Sequence, residues 1–240
     1  MKVSTAPRTL PQKKRAAAKS PLPVREQTVQ VLREAILNFE LKPGQRLVER
    51  EFIDRLGISR TTFREALRQL STEGLVTAVA QKGARVASPS ASEAADLYEI
   101  RAALEALAVR RFIERASEEE IQDLTRALET FESVVAETTD TLALLEANAG
   151  YYRVLIEGAQ SAVLGQVLMG VRSRAQAFRS RSLSIPGRAA QAAAELRGVL
   201  EAIIEGNTPR ASALTSGHVL IAGQIALAGL DQSWQFPPPD

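Results

Sequence analysis

"GISRTTFREALRQL", residues 57–70, is the stretch whose reading decides the fold of the first third of this chain. Ser59 is a residue type that caps a helix start, and Phe63, Ala66, Leu67 and Leu70 then recur at the spacing of one buried helical face. Arg60, Arg64 and Arg68 recur every four positions on the other side. Gly57 stands where a left-handed residue would close a preceding helix, expected over 48–56 with Phe52, Ile53 and Leu56 inward.

Upstream, helical periodicity begins near Val24, where Val24, Val31, Leu32, Ala35 and Ile36 read as one stripe. It fails around Asn38, ahead of the Pro43-Gly44 turn. Downstream, "LVTAVA" (75–80) and "ARVA" (84–87) are short β-type runs on either side of Gln81-Lys82-Gly83, the pattern of a hairpin. Three helices followed by a hairpin form a winged helix-turn-helix, expected over 23–88. Residues 1–22 hold six Lys or Arg and no acid, and Pro7, Pro11 and Pro21 interrupt them. They read as a disordered basic tail, either a solvated leader without a role or a source of extra phosphate contacts.

Ser88-Pro89-Ser90 reads as a hinge. Beyond it the pattern is helical over about 93–115, 118–138, 140–158, 161–182, 187–206 and 209–229. Ser117 followed by Glu120 is a capping box, and Ser92 and Thr208 are placed to cap helices. Six helices predict an antiparallel bundle over 92–230, followed by a tail, 231–240, whose "FPPPD" ending cannot continue a helix. The fold class is mainly α: a winged helix-turn-helix joined to a helical bundle.

Composition narrows the function. The chain has 240 residues, 45% of them hydrophobic, with a mean hydropathy of −0.08. No stretch approaches 18 uninterrupted apolar residues, and the basic N-terminus lacks an apolar segment after it, so neither a membrane partner nor a secretory signal is expected. The expected location is the cytoplasm. The absence of cysteine excludes disulfides, thiolate catalysis and cysteine zinc sites. A single histidine, His218, argues against a histidine-rich metal site or a Ser-His-Asp triad, and no Gly-rich phosphate loop or cluster of acids at metal spacing is present. No enzyme is expected. Up to residue 88 the chain has 17 Lys and Arg against 8 Asp and Glu; after it, 13 against 20. A basic first part beside an acidic remainder points to a polyanion as the partner of the first part.

Arg60, Thr61 and Thr62 sit in the first turn of the helix after Ser59, the part of a recognition helix that enters the major groove. Arginine bonds guanine O6 and N7 with two parallel donors, and a threonine methyl packs on a thymine methyl. The order of "LKPGQRL", "SRTTFREALRQL", "EGLV" and a glycine in the wing resembles the DNA-binding domain of GntR-family bacterial transcription regulators, over Val31 to Val86. The helical remainder resembles the effector-binding FCD-type domain of the FadR subfamily, with "EIRAALEALAVR" (99–110) at the start of its first helix.

That resemblance implies DNA contacts from Arg50, at the end of the first helix of the helix-turn-helix, from Ser59, Arg60, Thr61, Thr62 and Arg64 on the recognition helix, and from Gly83 with Lys82 at the wing tip. It implies a homodimer on a palindromic double-stranded operator, acting as a repressor. Many relatives bind a divalent metal through an aspartate, a histidine four residues on, and two later histidines. The matching positions here are Asn148, Tyr152, Leu196 and His218. An amide, a phenol and one imidazole make a poor metal site, so no bound metal or other cofactor is expected. Arg101, Asn148, Tyr152 and His218 are instead expected to line a pocket for a small organic acid. An inward Arg101 needs an anion or an internal carboxylate such as Glu105. Arg172, Arg174, Arg179 and Arg181, read as one helix, lie at mixed phases, so at most two of them reach a pocket. The alternative is a bundle that has lost sensing and only dimerises, leaving a constitutive DNA binder.

Overall fold

The computed structural model describes residues 22–38, 40–79, 83–88 and 90–228. The expected basic tail up to residue 21, the hairpin tip with Lys82, and the C-terminal tail lie outside the described residues. The chain divides into two compact units, Met1–Ala87 and Ser88–Asp240.

In the first unit, α1 (Val24–Leu37) buries Thr28, Val29, Leu32, Ala35, Ile36 and Leu37. The expected stripe is rotated at its start: Val24 and Val31 are 57% and 46% exposed, and Thr28 and Val29 take their place inside. Positions 28, 29, 32, 35 and 36 complete an i, i+3, i+4, i+7 face around Leu32, whereas 24 and 31 lie on its flank. Next come β1 (Arg46–Leu47), α2 (Glu49–Leu56) and α3 (Arg60–Thr72), then β2 (Val76–Val79) and β3 (Gly83–Val86). Gly57 closes α2 at φ 63°, ψ 39°, the left-handed conformation in which a Cβ is strained. Ser59 caps α3 by accepting the Thr62 N–H at 3.0 Å.

Phe52 of α2 stacks on Phe63 of α3, with ring centroids 5.5 Å apart, and this pair fixes the helix-turn-helix angle from inside the core. The sheet is antiparallel in the order β1-β3-β2, with Leu47 opposite Ala84 and Val76 opposite Val86. The two-residue β1 has no alternation long enough to be read in the sequence.

The second unit is all helical: α4 (Ala91–Arg115), α5 (Glu118–Glu137), α6 (Thr141–Gly158), α7 (Ala162–Arg174), α8 (Gln176–Leu183), α9 (Arg188–Ile204) and α10 (Thr208–Ala228). Its described helices number seven, not six, because the segment expected as one helix over 161–182 breaks at Ala175. The capping box of α5 is Ser117 with Glu120, as expected. That of α4 is Ser90 with Glu93 rather than Ser92, and Asn207 rather than Thr208 holds the start of α10 by accepting the Arg210 N–H at 3.2 Å.

Within this unit α4 packs on α10, α6 and α7, α5 packs on α6 and α9, and α8 touches α6, α7, α9 and α10. Two glycines set the approach of α4 to its neighbours. A Cβ on Gly158 of α6 would stand 2.4 Å from the Phe112 ring, and one on Gly223 of α10 would stand 2.7 Å from the Tyr98 ring. By length and composition α10 could cross a membrane. In this fold its face of Ala211, Thr215, His218, Val219, Gly223 and Ala226 is buried in the bundle core.

Candidate functional site

The first candidate surface is the outer face of α3. Arg60, Arg64 and Arg68 are all exposed on it, together with Thr61. Glu49, at the start of α2, holds two of these arginines. Arg64 donates to it through Nε at 2.9 Å and Nη2 at 3.3 Å, and Arg60 Nε lies 3.3 Å from the same carboxylate. Thr62 is half-buried and shares a 2.8 Å hydrogen bond between hydroxyls with Ser59, so those two groups are occupied with the cap. Arg50 differs in position from its sequence assignment: it lies in the first turn of α2, not at its end, with a side chain 92% exposed and 3.9 Å from Asp54. Gly83 opens β3 at φ 86°, a conformation that excludes side chains without strain.

The second candidate is a cavity of about 30 Å³ within the bundle. Arg101, Asn148, Tyr152 and His218 all line it, alongside Arg179, Ser182 and Arg188. Sequence reasoning had named the first four. Arg101, 2% exposed, donates through Nε at 3.2 Å and Nη2 at 3.1 Å to Oε1 of Glu105. From α7, Arg172 donates to the same oxygen at 2.6 Å and lays its guanidinium 3.5 Å from the centroid of the Tyr152 ring. Burial alone would raise the Glu105 carboxyl, but the two arginines outweigh it and hold it down at about 2.

Arg179 of α8 donates to Asn148 Oδ1 at 2.7 Å, a neutral partner. Arg179 is half-buried and lines the cavity. Burial, with Arg172 and Arg101 nearby, lowers it to about 9, which leaves it cationic at neutral pH. On the far side, Glu195 Oε2 accepts from Arg188 at 2.9 Å and lies 2.5 Å from His218 Nδ1. Burial lowers the His218 pKa against the pull of Glu195, so the ring is neutral at pH 7 and donates its Nδ1–H. Burial raises the phenols of Tyr151 and Tyr152, which therefore stay protonated.

This donor set does not suit a divalent cation. The amide oxygen of Asn148 is taken by Arg179, Leu196 offers no donor atom, and three arginines give the cavity a positive field. Among the described residues, no three His, Asp or Glu side chains gather where they could share an ion.

Comparison with known proteins matches residues 24–86 to "Bacterial regulatory proteins, gntR family" and residues 96–220 to "FCD domain". The chain belongs to the GntR family. This GntR-family protein is 30% identical to the uncharacterized HTH-type transcriptional regulator Rv0494 of Mycobacterium tuberculosis over 217 residues, 82% of this chain and 86% of that one. It is 29% identical to the uncharacterized HTH-type transcriptional regulator YdhC of Bacillus subtilis, over 82% of this chain and 88% of its relative. A shorter match, 39% over 88 residues, joins it to the HTH-type transcriptional repressor GlaR of Escherichia coli, spanning 37% of this chain and 40% of GlaR. Among solved structures, E. coli McbR/YncC shares its fold at a TM-score of 0.67 and 18% identity, covering 89% of this chain and all of that one. The GntR-family protein is a DNA-binding transcriptional regulator and not an enzyme.

Three of the polar cavity residues, Arg179, Ser182 and Arg188, are not among the four expected from the sequence. Arg179 was grouped with three other arginines on one helix, and the break at Ala175 puts it on a separate one; of the four, Arg172 and Arg179 turn inward while Arg174 is exposed. Arg188 follows the left-handed Gly187, where neither periodicity nor motif marks it. A signal was present in Gly187-Arg188, a turn residue followed by a cation at a helix start, where the dipole disfavours positive charge.

Proposed function

We propose that this regulator binds a palindromic operator as a homodimer and represses transcription in the cytoplasm until a small organic acid enters the bundle cavity, with no metal taking part. The observation that carries the ligand assignment is the convergence of Arg101, Arg179 and Arg188 on one cavity, with Arg101 Nη1 and Arg188 Nε and Nη1 buried and without partners. Buried donors of this kind are costly unless an acceptor meets them, and an anion is the strongest acceptor available. A cavity of about 30 Å³ holds no more than a couple of waters, so the acid enters as the elements around it open. Ligand binding thereby favours one of two arrangements of the bundle, and through the dimer it changes the fit to the operator.

For DNA recognition the support is the face of Arg60, Thr61 and Arg64 on α3, with Arg50 and the Gly83 wing as flanking contacts. A two-fold dimer would present two such helices to half-sites one helical turn apart. The test is operator binding by Arg60→Ala and Arg64→Ala, each expected to cost about 1–3 kcal/mol on the specific site and far less on random duplex. Undiminished operator affinity in both variants rejects this helix as the reader.

A further inference from the structure

Arg60 and Arg64 stand one turn apart on the exposed face of α3, where like charges at this spacing repel. Arg60 also opens the helix, at the end where the dipole disfavours a cation. The carboxylate of Glu49 offsets both costs. Glu49 is the first residue of α2, a helix start whose Val48 offers no side-chain cap, and the dipole of its own helix favours an acid there. From that place it reaches across to α3, over a gap held from beneath by the Phe52–Phe63 stack.

Geometry separates this contact from an ordinary surface ion pair, which contributes little. Arg64 donates Nε to Glu49 Oε1 at 2.9 Å and Nη2 to Oε2 at 3.3 Å, so fork and carboxylate meet with both arms. Arg60 Nε, 3.3 Å from Oε1, adds a third member. The Glu49 side chain is 27% exposed against 59% for Arg64, so the acid is the partly covered anchor and the arginine the outer end. This grip leaves Arg64 a defined remainder. A guanidinium carries five N–H groups, and Glu49 takes one on Nε and one on Nη2. What is left includes the paired N–H groups of the Nη1–Nη2 edge, turned away from the carboxylate, and such a pair suits guanine O6 and N7.

We infer that Glu49 is a positioning residue for base reading: it orients Arg64 so that the Nη1–Nη2 edge meets a guanine, and it thereby sets the base preference of α3. This inference rests on the reading of α3 as the recognition helix and adds the residue that aims it. A long side chain that is ordered beforehand loses less rotamer freedom on binding. A first contact held by a hydrogen-bonded neighbour also keeps its geometry, so a base out of line with the fork leaves donors unpaired and is rejected.

The experiment selects preferred sites from a random duplex pool with the full wild-type chain, then replaces each guanine of the best site in turn by 7-deazaguanine, which lacks the N7 acceptor. The guanine read by Arg64 is the one whose replacement weakens wild-type binding but not that of Arg64→Ala. At that base wild type should lose about fivefold or more, and Glu49→Gln about twofold or less. Glu51→Gln removes the same charge from an exposed side chain in the same first turn of α2, and should keep the wild-type pattern. Glu49→Asp retains the charge but falls one methylene short of the fork. It should melt with wild type yet lose the preference, which keeps the test decisive if Glu49→Gln folds poorly. Undiminished discrimination in both Glu49 variants overturns the inference, as does an equal loss in Glu51→Gln. If no guanine depends on Arg64 the inference fails as well, and if Arg60→Ala and Arg64→Ala both keep full affinity the reading of α3 falls with it.

Discussion

Glu105→Gln is the most informative single change in this protein. Glu105 is fully buried on α4, and its Oε1 accepts three N–H groups: two from Arg101 at 3.2 and 3.1 Å and one from Arg172 at 2.6 Å. The two arginines draw its carboxyl from 4.5 down to about 2, a shift that corresponds to roughly 3 kcal/mol of stabilisation of the charged form. Removing one partner of a buried ion pair leaves the remaining charge uncompensated and costs about 3–5 kcal/mol. Here two guanidiniums are left, so the two approaches agree on several kcal/mol.

For a unit of this size, about 2–4 °C of melting temperature accompany each kcal/mol, so a fall of roughly 6–20 °C is expected. The assay is thermal unfolding followed by circular dichroism in the absence of acids. Adding Arg172→Met to Glu105→Gln should restore part of the loss, because one of the stranded cations goes and an apolar side chain fills its place. Since the folded pKa of Glu105 lies below its unfolded value, its contribution is complete above about 4.5 and disappears as the pH falls towards 2. Wild-type protein should therefore lose this increment of stability between those values, and Glu105→Gln should not. A Glu105→Gln protein that melts within about 2 °C of wild type would refute the argument that this carboxylate neutralises buried cations.

Three further outcomes are expected. Gly158→Ala gains about 1 kcal/mol of helix propensity but drives a Cβ to 2.4 Å from the fully buried Phe112 ring, and overpacking of about 1–3 kcal/mol or more should win; a raised melting temperature would show that the ring yields. His218 has a folded pKa below the unfolded value of ~6.5, so no penalty exists above that pH and one grows as the pH falls beneath it. Stability measured between pH 8 and 5 should decline less steeply in His218→Asn, and parallel profiles would contradict a neutral buried ring. Ser59→Ala removes the cap of α3 and should cost about 0.5–2 kcal/mol in urea unfolding of the first unit; no change in midpoint would mean that the Thr62 N–H finds water instead.

How much the sequence disclosed varied with how local the cause was. Gly57, Ser59 and the Phe63-Ala66-Leu70 face are local features of one turn and one helix, and each is where the spacing put it. The break at Ala175 has no glycine or proline to announce it, because "VRSRAQAFRSRSL" favours helix throughout. The contacts on either side of it are tertiary: Arg172 donates to Glu105 before the break, and Arg179 to Asn148 after it. The cavity was legible in part. Arg101, Asn148, Tyr152 and His218 could be proposed through their resemblance to positions in a family, and they do line one space. Their partners Arg172, Arg179 and Arg188 come from segments whose approach depends on how the bundle closes, which no window of residues shows. Val24 and Val31 teach a related lesson, since both lie on the flank of the buried stripe of α1, where an apolar residue is not held to the core, and both point outward.

With α3 as the proposed DNA reader, the Glu49 carboxylate that holds Arg60 and Arg64 would bear on how tightly this regulator grips any DNA at all. A solvated arginine that reaches a phosphate displaces ions condensed on the nucleic acid, and binding weakens steeply as salt is added. An arginine that must first leave a carboxylate on its own protein exposes that carboxylate in the act, and the bare charge gathers cations from solution. The two ion flows run in opposite directions. On that proposal, replacing Glu49 with glutamine would steepen the salt dependence and tighten the hold on random sequence, and the acid would set a threshold that phosphates alone do not cross and that matched base edges must help to overcome.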